Sequence, residues 1–134
     1  MPSLDTNCLL RWLLADIPDQ AEQVEQLLHD GRSFDVADEV VLETVFVLER
    51  QARLARTTVK DAINVVMSEA AINLERSLWE EVMAIYVERP KLSVADIYVA
   101  VKAARRNQTP LYTFDQKMIN QLPGCAPPPQ SRTL

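Results

Sequence analysis

The stretch Pro110-Leu111-Tyr112-Thr113-Phe114-Asp115 decides the fold. Residues 110–113 form the clearest strand of the chain, the strand runs on to an acid, and residues 116–121 read as a short helix directly after it. The same alternation continues outward in both directions. Upstream, residues 93–106 read as a helix, set off by Pro90 from another over 78–87. Residues 72–74 read as a short strand, and Thr57-Thr58 reads as the cap of a helix running to about residue 70. Residues 39–54 form a helix whose first three turns are apolar nearly all round, which predicts burial. Residues 33–37 are a candidate strand. Residues 21–29 and 6–15 are helices, and Leu4 ends a very short first strand. Downstream, Pro123-Gly124-Cys125-Ala126 admits one more small strand before a proline-rich extension. Strands alternating with helices predict an α/β domain with a mainly parallel sheet of roughly five strands. The expected boundaries are one domain over residues 1–127 and an extended tail over 128–134.

That architecture gives meaning to four carboxylates spread along the chain: Asp5, Glu43, Asp96 and Asp115. In open α/β sheets, ligands bind beyond the carboxyl ends of the strands, and Asp5 and Asp115 each follow a strand. Glu43 interrupts an apolar run, Val40-Val41-Leu42-Glu43-Thr44-Val45-Phe46-Val47-Leu48. Asp96 shares a helical stripe with Val99, Ala100 and Ala103. An unpaired charge in an apolar setting is costly, so acids placed this way usually bind a cation or a partner. If the fold gathers them, they make an oxygen-rich site suited to magnesium or manganese. Taken singly, three of the four have a plainer reading. Asp5 and Asp115 precede helices and can serve as N-caps, and Asp96 stands three residues after Ser93, close to a capping box.

Composition excludes several other chemistries. The chain has 134 residues, enough for a real core, and no apolar run long enough to span a membrane. The start, Met1-Pro2-Ser3-Leu4-Asp5, lacks the basic region of a secretory signal, so a cytoplasmic location is expected. Two cysteines, Cys8 and Cys125, make neither a disulfide framework nor a zinc site, and Cys8 reads as a buried thiol. The single histidine, His29, falls at an expected helix end, which argues against histidine-based triads. A net charge of −5 argues against generic adhesion to nucleic acid. Local basic strips remain: Arg50, Arg53, Arg56 and Lys60 would share one face if the helix runs that far, and Lys102, Arg105 and Arg106 form a second cluster. Glu49 is expected to pair with Arg53.

Leu4-Asp5-Thr6-Asn7 at the start, Glu43 ahead of Val47-Leu48-Glu49, Ala95-Asp96 opening an alanine-rich helix, and Thr113-Phe114-Asp115 resemble, in that order, the PIN-domain ribonucleases. Among these the chain is most similar to the VapC-type toxins of toxin–antitoxin pairs. The resemblance covers residues from Leu4 to about Pro127. It implies a three-layer α/β/α fold and a metal-dependent endoribonuclease. It also implies that Asp5, Glu43, Asp96 and Asp115 are the catalytic quartet. Asp5, Asp96 and Asp115 would be metal ligands, with Thr6, Asn7 and Thr113 as the supporting shell. The implied cofactor is Mg2+ or Mn2+, which polarises a phosphodiester and activates water. The implied partners are an RNA substrate, a cognate antitoxin lying across the first helices, and a second copy of the chain. Exposed leucines of residues 9–14 and 24–28 would supply those interfaces. The acidic balance departs from what an RNA enzyme usually carries.

Two other readings compete. A receiver-like phosphoacceptor module is also α/β and holds magnesium, but it needs adjacent acids after the first strand, a mid-chain acceptor Asp and a late lysine. Here only Asp5 and Lys117 echo that pattern. A catalytically silent PIN-like binding domain would have lost at least one acid, and all four are present.

Overall fold

The computed structural model describes residues 1–130. In chain order the elements are α1 (Thr6–Leu14), α2 (Pro18–Leu28), β1 (Phe34–Asp35), α3 (Asp38–Arg50), α4 (Arg56–Ser68) and β2 (Ile72–Asn73). They continue with α5 (Arg76–Glu88), α6 (Val94–Arg105), β3 (Leu111–Tyr112), α7 (Gln116–Gln121) and β4 (Cys125–Ala126). The chain forms two compact units, Met1–Arg76 and from Ser77 onward. The tail expected over 128–134 lies, from residue 131, outside the described residues.

In the first unit β1 pairs with β2 in parallel, Phe34 opposite Ile72 and Asp35 opposite Asn73. Val36 N–H donates to the Asn73 carbonyl at 3.0 Å, and the Asn73 side-chain amide donates to Asp35 Oδ1 at 2.7 Å. The expected first strand is a single parallel bridge between Ser3 and Asp35, made by Leu4 N–H to Asp35 O and Asp35 N–H to Pro2 O. Parallel pairing requires a crossover, which α3 and α4 supply. Phe34 and Ile72 are buried, as are Leu9 of α1, Val45 and Leu48 of α3, and Val59 and Ile63 of α4.

Several local expectations are corrected here. α2 starts at Pro18 rather than at 21, because proline at the first helical position lacks only a donor that would go unpaired anyway. α3 stops at Arg50, and Arg53 takes a left-handed φ of 56° that no helix can continue through. Arg50, Arg53, Arg56 and Lys60 therefore do not form one helical face, and Glu49 pairs with Arg56 at 3.5 Å instead of Arg53. α4 begins after Ala55, with no side-chain cap from Thr57 or Thr58. α3 is not buried all round: Glu43 is exposed and Phe46 is 54% exposed. The first unit ends on a guanidinium. Arg76 Nε donates to the Met67 carbonyl at 2.6 Å, while Nη2 donates to those of Glu69 at 2.9 Å and Ile72 at 2.7 Å. One side chain thus satisfies carbonyls at the end of α4, in the turn and on β2.

In the second unit the core is carried by helices. Leu78, Trp79, Val82, Met83 and Tyr86 of α5 and Ile97 of α6 are fully buried, and Trp79 stacks on Tyr98 with ring centroids 5.2 Å apart. Arg105 near the end of α6 binds Glu81 at 2.7 Å and donates to the Ser77 carbonyl at 3.0 Å. β3 pairs with β4 in parallel, Leu111 opposite Cys125, and Thr113 N–H donates to Ala126 O at 3.0 Å. Gly124 has φ +84°, and a Cβ there would meet Thr109 Cγ2 at 3.1 Å, so both backbone and space call for glycine.

The strands therefore appear where the alternation predicts them and all pair in parallel. Among the described residues they form two separate two-stranded sheets and one bridge, not one sheet of five. The reason is length: each strand is two residues long, and half of the residues expected as strand over 33–37, 72–74 and 110–113 are left as loop.

Two stability effects follow. Arg76→Met should destabilise the protein by about 3 kcal/mol, since hydrogen bonds to a charged donor contribute roughly 1.5–3 kcal/mol each and three carbonyls lose their partner together. Arg76→Lys should recover only part of that, because an ammonium lacks the planar fork. Trp79→Ala should cost about 3–5 kcal/mol through the cavity it leaves. Urea unfolding followed by circular dichroism reads both; a Trp79→Ala chain within 1 kcal/mol of the parent would show that the site can collapse.

Candidate functional site

In the first unit Asp5 is the N-cap of α1. Its backbone is extended, and Oδ1 accepts Cys8 N–H at 2.9 Å. The carboxylate also lies beside the Cys8 thiol, and burial first, then Asp5, pushes that thiol above its ordinary pKa. Asp5 itself is exposed, whereas Thr6 is buried and Asn7 is exposed on the first turn. Glu43 lies midway along α3. It lines an open cavity of about 340 Å³ together with Thr6, Asn7, Leu10, Arg11 and Asp16. The start of α1 and the acid of α3 thus face one space. Arg11 is the cation there, and it is held by Asp16 through Nη1 at 3.0 Å and 3.2 Å. No described hydrogen bond or ion pair engages the Glu43 carboxylate.

In the second unit Asp96 is on the first turn of α6. Its N–H donates to the Ser93 hydroxyl at 3.2 Å, which is half of the capping box; the reciprocal bond from its carboxylate is not among the described ones. Ala100 and Ala103 on its stripe are buried, while Val99 is 45% exposed. The Asp96 carboxylate acts on Cys125 of β4, whose thiol is pushed up by burial first and by that charge second. Asp115 is the N-cap of α7, and its Oδ1 accepts from Lys117 N–H at 2.8 Å and Met118 N–H at 3.4 Å. Thr113 supports it from behind: the hydroxyl accepts Asp115 N–H at 3.0 Å and points its own proton at Met118 Sδ, 3.8 Å away.

The capping reading holds for Asp5 and Asp115. Both cap through Oδ1; the Asp5 carboxylate also meets the Cys8 thiol, while Asp115 Oδ2 is clear of any described hydrogen bond. The donors left over are all carboxylate oxygens, the set preferred by a hard divalent cation. Among the described residues no group of three or more His, Cys, Asp or Glu side chains is drawn together tightly enough to hold a metal ion. The four expected acids fall two and two, Asp5 with Glu43 in one unit and Asp96 with Asp115 in the other.

Some expectations about neighbouring surfaces change. Leu9, Leu10, Val24 and Leu28 are core residues, leaving Trp12, Leu13 and Leu27 half-buried and Leu14 at 37% exposed. Cys8 is half-buried rather than sealed. His29 is the exposed C-cap residue of α2, with Nδ1 2.8 Å from the Glu25 carbonyl. The role of Arg11 was not foreseen, although Asn7, Arg11 and Leu14 follow the i, i+4, i+7 stripe of a helix. No helix of the described residues is long and apolar enough to cross a membrane.

Neither a curated protein nor a solved structure matches this sequence. The family model described as PIN domain matches residues 3–122, a span containing all four acids, and the chain belongs to the PIN domain family.

Proposed function

We propose that this chain is a metal-dependent endoribonuclease of the VapC type. PIN domains are generally nucleases and typically use divalent metal ions, so hydrolysis of a nucleic-acid phosphodiester is the coarse expectation for the family. The observation that carries the finer reading is the state of the four carboxylates. Asp115 caps through one oxygen and has the other free, Asp5 caps through one and meets the Cys8 thiol, and the carboxylates of Glu43 and Asp96 have no described hydrogen bond or ion pair.

In this reading residues 1–127 work as one PIN-like domain, and Asp5, Asp96 and Asp115 would hold Mg2+ or Mn2+ through their carboxylate oxygens. The ion, when bound, supplies Lewis-acid polarisation of the phosphodiester and lowers the pKa of water. Glu43 has its carboxylate in an open cavity and is suited to orient the attacking water or take its proton. The cap bonds at Asp5 and Asp115 fix each carboxylate so that the other oxygen points one way, and the Thr113 hydroxyl locks the backbone behind Asp115. Asn7 and Thr6 line the Glu43 cavity and complete its polar wall. Asp16 holds Arg11 and so keeps that guanidinium from neutralising Glu43.

The toxin role rests on the same resemblance, with an antitoxin and a second copy of the chain as partners. Leu14 at 37%, Ile17 at 39% and Phe46 at 54% exposure are the apolar residues near the Glu43 cavity that such partners would cover. A short DNA-binding protein encoded beside this chain, and a larger particle by light scattering when the two are mixed, would bear this out.

The acid roles are tested with asparagine. Asn caps a helix about as well as Asp, so Asp5→Asn and Asp115→Asn should change stability by no more than a few tenths of a kcal/mol. Both, with Asp96→Asn and Glu43→Gln, should lower metal-dependent RNA cleavage by at least about a hundredfold, the scale of losing an acid–base or charge-stabilising group. If Asp115→Asn cleaves RNA like the parent, Asp115 is a cap and nothing more. A second readout needs no turnover: millimolar magnesium or manganese should raise the melting temperature of the parent by mass action, and clearly less in Asp5→Asn or Asp96→Asn. Labelling by acetyl phosphate in place of RNA cleavage would transfer the site to the phosphoacceptor reading.

A further inference from the structure

Phe114 is the most exposed large apolar residue described, at 86%, and Tyr112 two residues earlier is 55% exposed. Exposure alternates along this segment: Leu111, Thr113 and Asp115 are half-buried, and Tyr112 and Phe114 face solvent. A lone exposed apolar side chain is ordinary. What sets Phe114 apart is how its backbone is held. Thr113 N–H is fixed to Ala126 O at 3.0 Å, Asp115 N–H to the Thr113 hydroxyl at 3.0 Å, and the Asp115 carboxylate to two amides of α7. The ring is therefore carried on a pinned strand end, with a free carboxylate oxygen on the next residue. The backbone that carries the ring thus needs little further ordering against a ligand.

The charge balance says what the ring is for. A chain of net charge −5, with acids at its candidate site, draws little affinity for RNA from phosphate neutralisation. With a net repulsion, contacts indifferent to charge gain weight beside local cations such as Lys117. Base stacking on an exposed aromatic is such a contact, and it is open only to unpaired bases, whose faces are free. Tyr112 and Phe114 share the solvent-facing side of the segment, while Asp115, Gln116 and Lys117 beyond them are polar, so apolar exposure along this segment is confined to two rings.

Resting on the ribonuclease reading above, we propose that Phe114 is a stacking platform for a base of single-stranded RNA beside the Asp115 carboxylate, and so selects unpaired over duplex substrate. The experiment uses the full chain with magnesium. Its probe is an end-labelled single-stranded RNA oligonucleotide, alone and annealed to its complement. Phe114→Ala and Phe114→Leu should each raise KM for the single strand about tenfold, as expected for the loss of one stacked base, with kcat within about twofold. Phe114→Trp should restore it, and the parent should cleave the single strand far better than the duplex. Parental constants in Phe114→Ala, or in Phe114→Leu, overturn the proposal while leaving the nuclease reading standing, since Leu keeps the bulk and loses only the flat face. A parent that cleaves no RNA sinks the nuclease reading; fluorescence anisotropy with the same oligonucleotide then decides the ring's role, and affinity indifferent to Phe114→Ala overturns it. If Phe114→Ala instead reduces the particle size in light scattering and leaves RNA constants unchanged, the ring is a contact between proteins and the proposal falls.

Discussion

Parallel pairing of strands only two residues long is the constraint behind both units. A parallel pair cannot be closed by a tight turn, so each demands a helical crossover, α3 and α4 between β1 and β2, and α7 between β3 and β4. Strands this short supply few ladder bonds, and the remaining backbone groups find side chains. Arg76 takes three carbonyls at the entry to and on β2, Asn73 bridges to Asp35, and the Thr113 hydroxyl receives the amide just past β3. Stability is then left to the helices, whose buried Leu48, Ile63, Trp79 and Tyr86 outweigh anything the strands can bury.

The same constraint fixes where acids stand. A helix that begins directly after a strand end needs a cap with an extended backbone and an oxygen acceptor, and Asp115 meets that need after β3 as Asp5 does after the first bridge. A carboxylate has two oxygens and the cap occupies one. A negative charge there also interacts favourably with the helix dipole. The capping reading of Asp5 and Asp115 proves correct, and capping by one oxygen is compatible with the ligand role proposed for them.

Electrostatics separates this chain from proteins that bind nucleic acid through charge alone. Arg11, Arg56 and Arg105 are engaged with Asp16, Glu49 and Glu81, so these guanidiniums are held in local pairs. The more exposed of these, at Arg11 and Arg105, contribute little to stability, yet all three remove cationic surface from phosphate. Exposed side chains such as Phe114 offer contacts that need no charge.

Much of this was determined by sequence alone. Period and caps located the strands and helices because a two-residue strand still needs its apolar residue and a helix still needs its first acceptor: Phe34, Ile72 and Leu111 mark the former, Asp5, Ser93 and Asp115 the latter. The four acids were legible for the same reason, since Glu43 breaks an apolar run and the others sit at helix starts. Tertiary structure decided what no local pattern encodes. Whether α3 runs past Arg50 turned on one left-handed residue, Arg53, which bears no glycine or asparagine to announce it. Which leucines of α1 are core and which half-exposed depended on packing against α2 and α3, because an amphipathic stripe looks the same whether a neighbour covers all of it or half. The extent of strand pairing belongs to that class too: hydrogen-bond register is a relation between segments far apart in the chain, and no residue carries it alone.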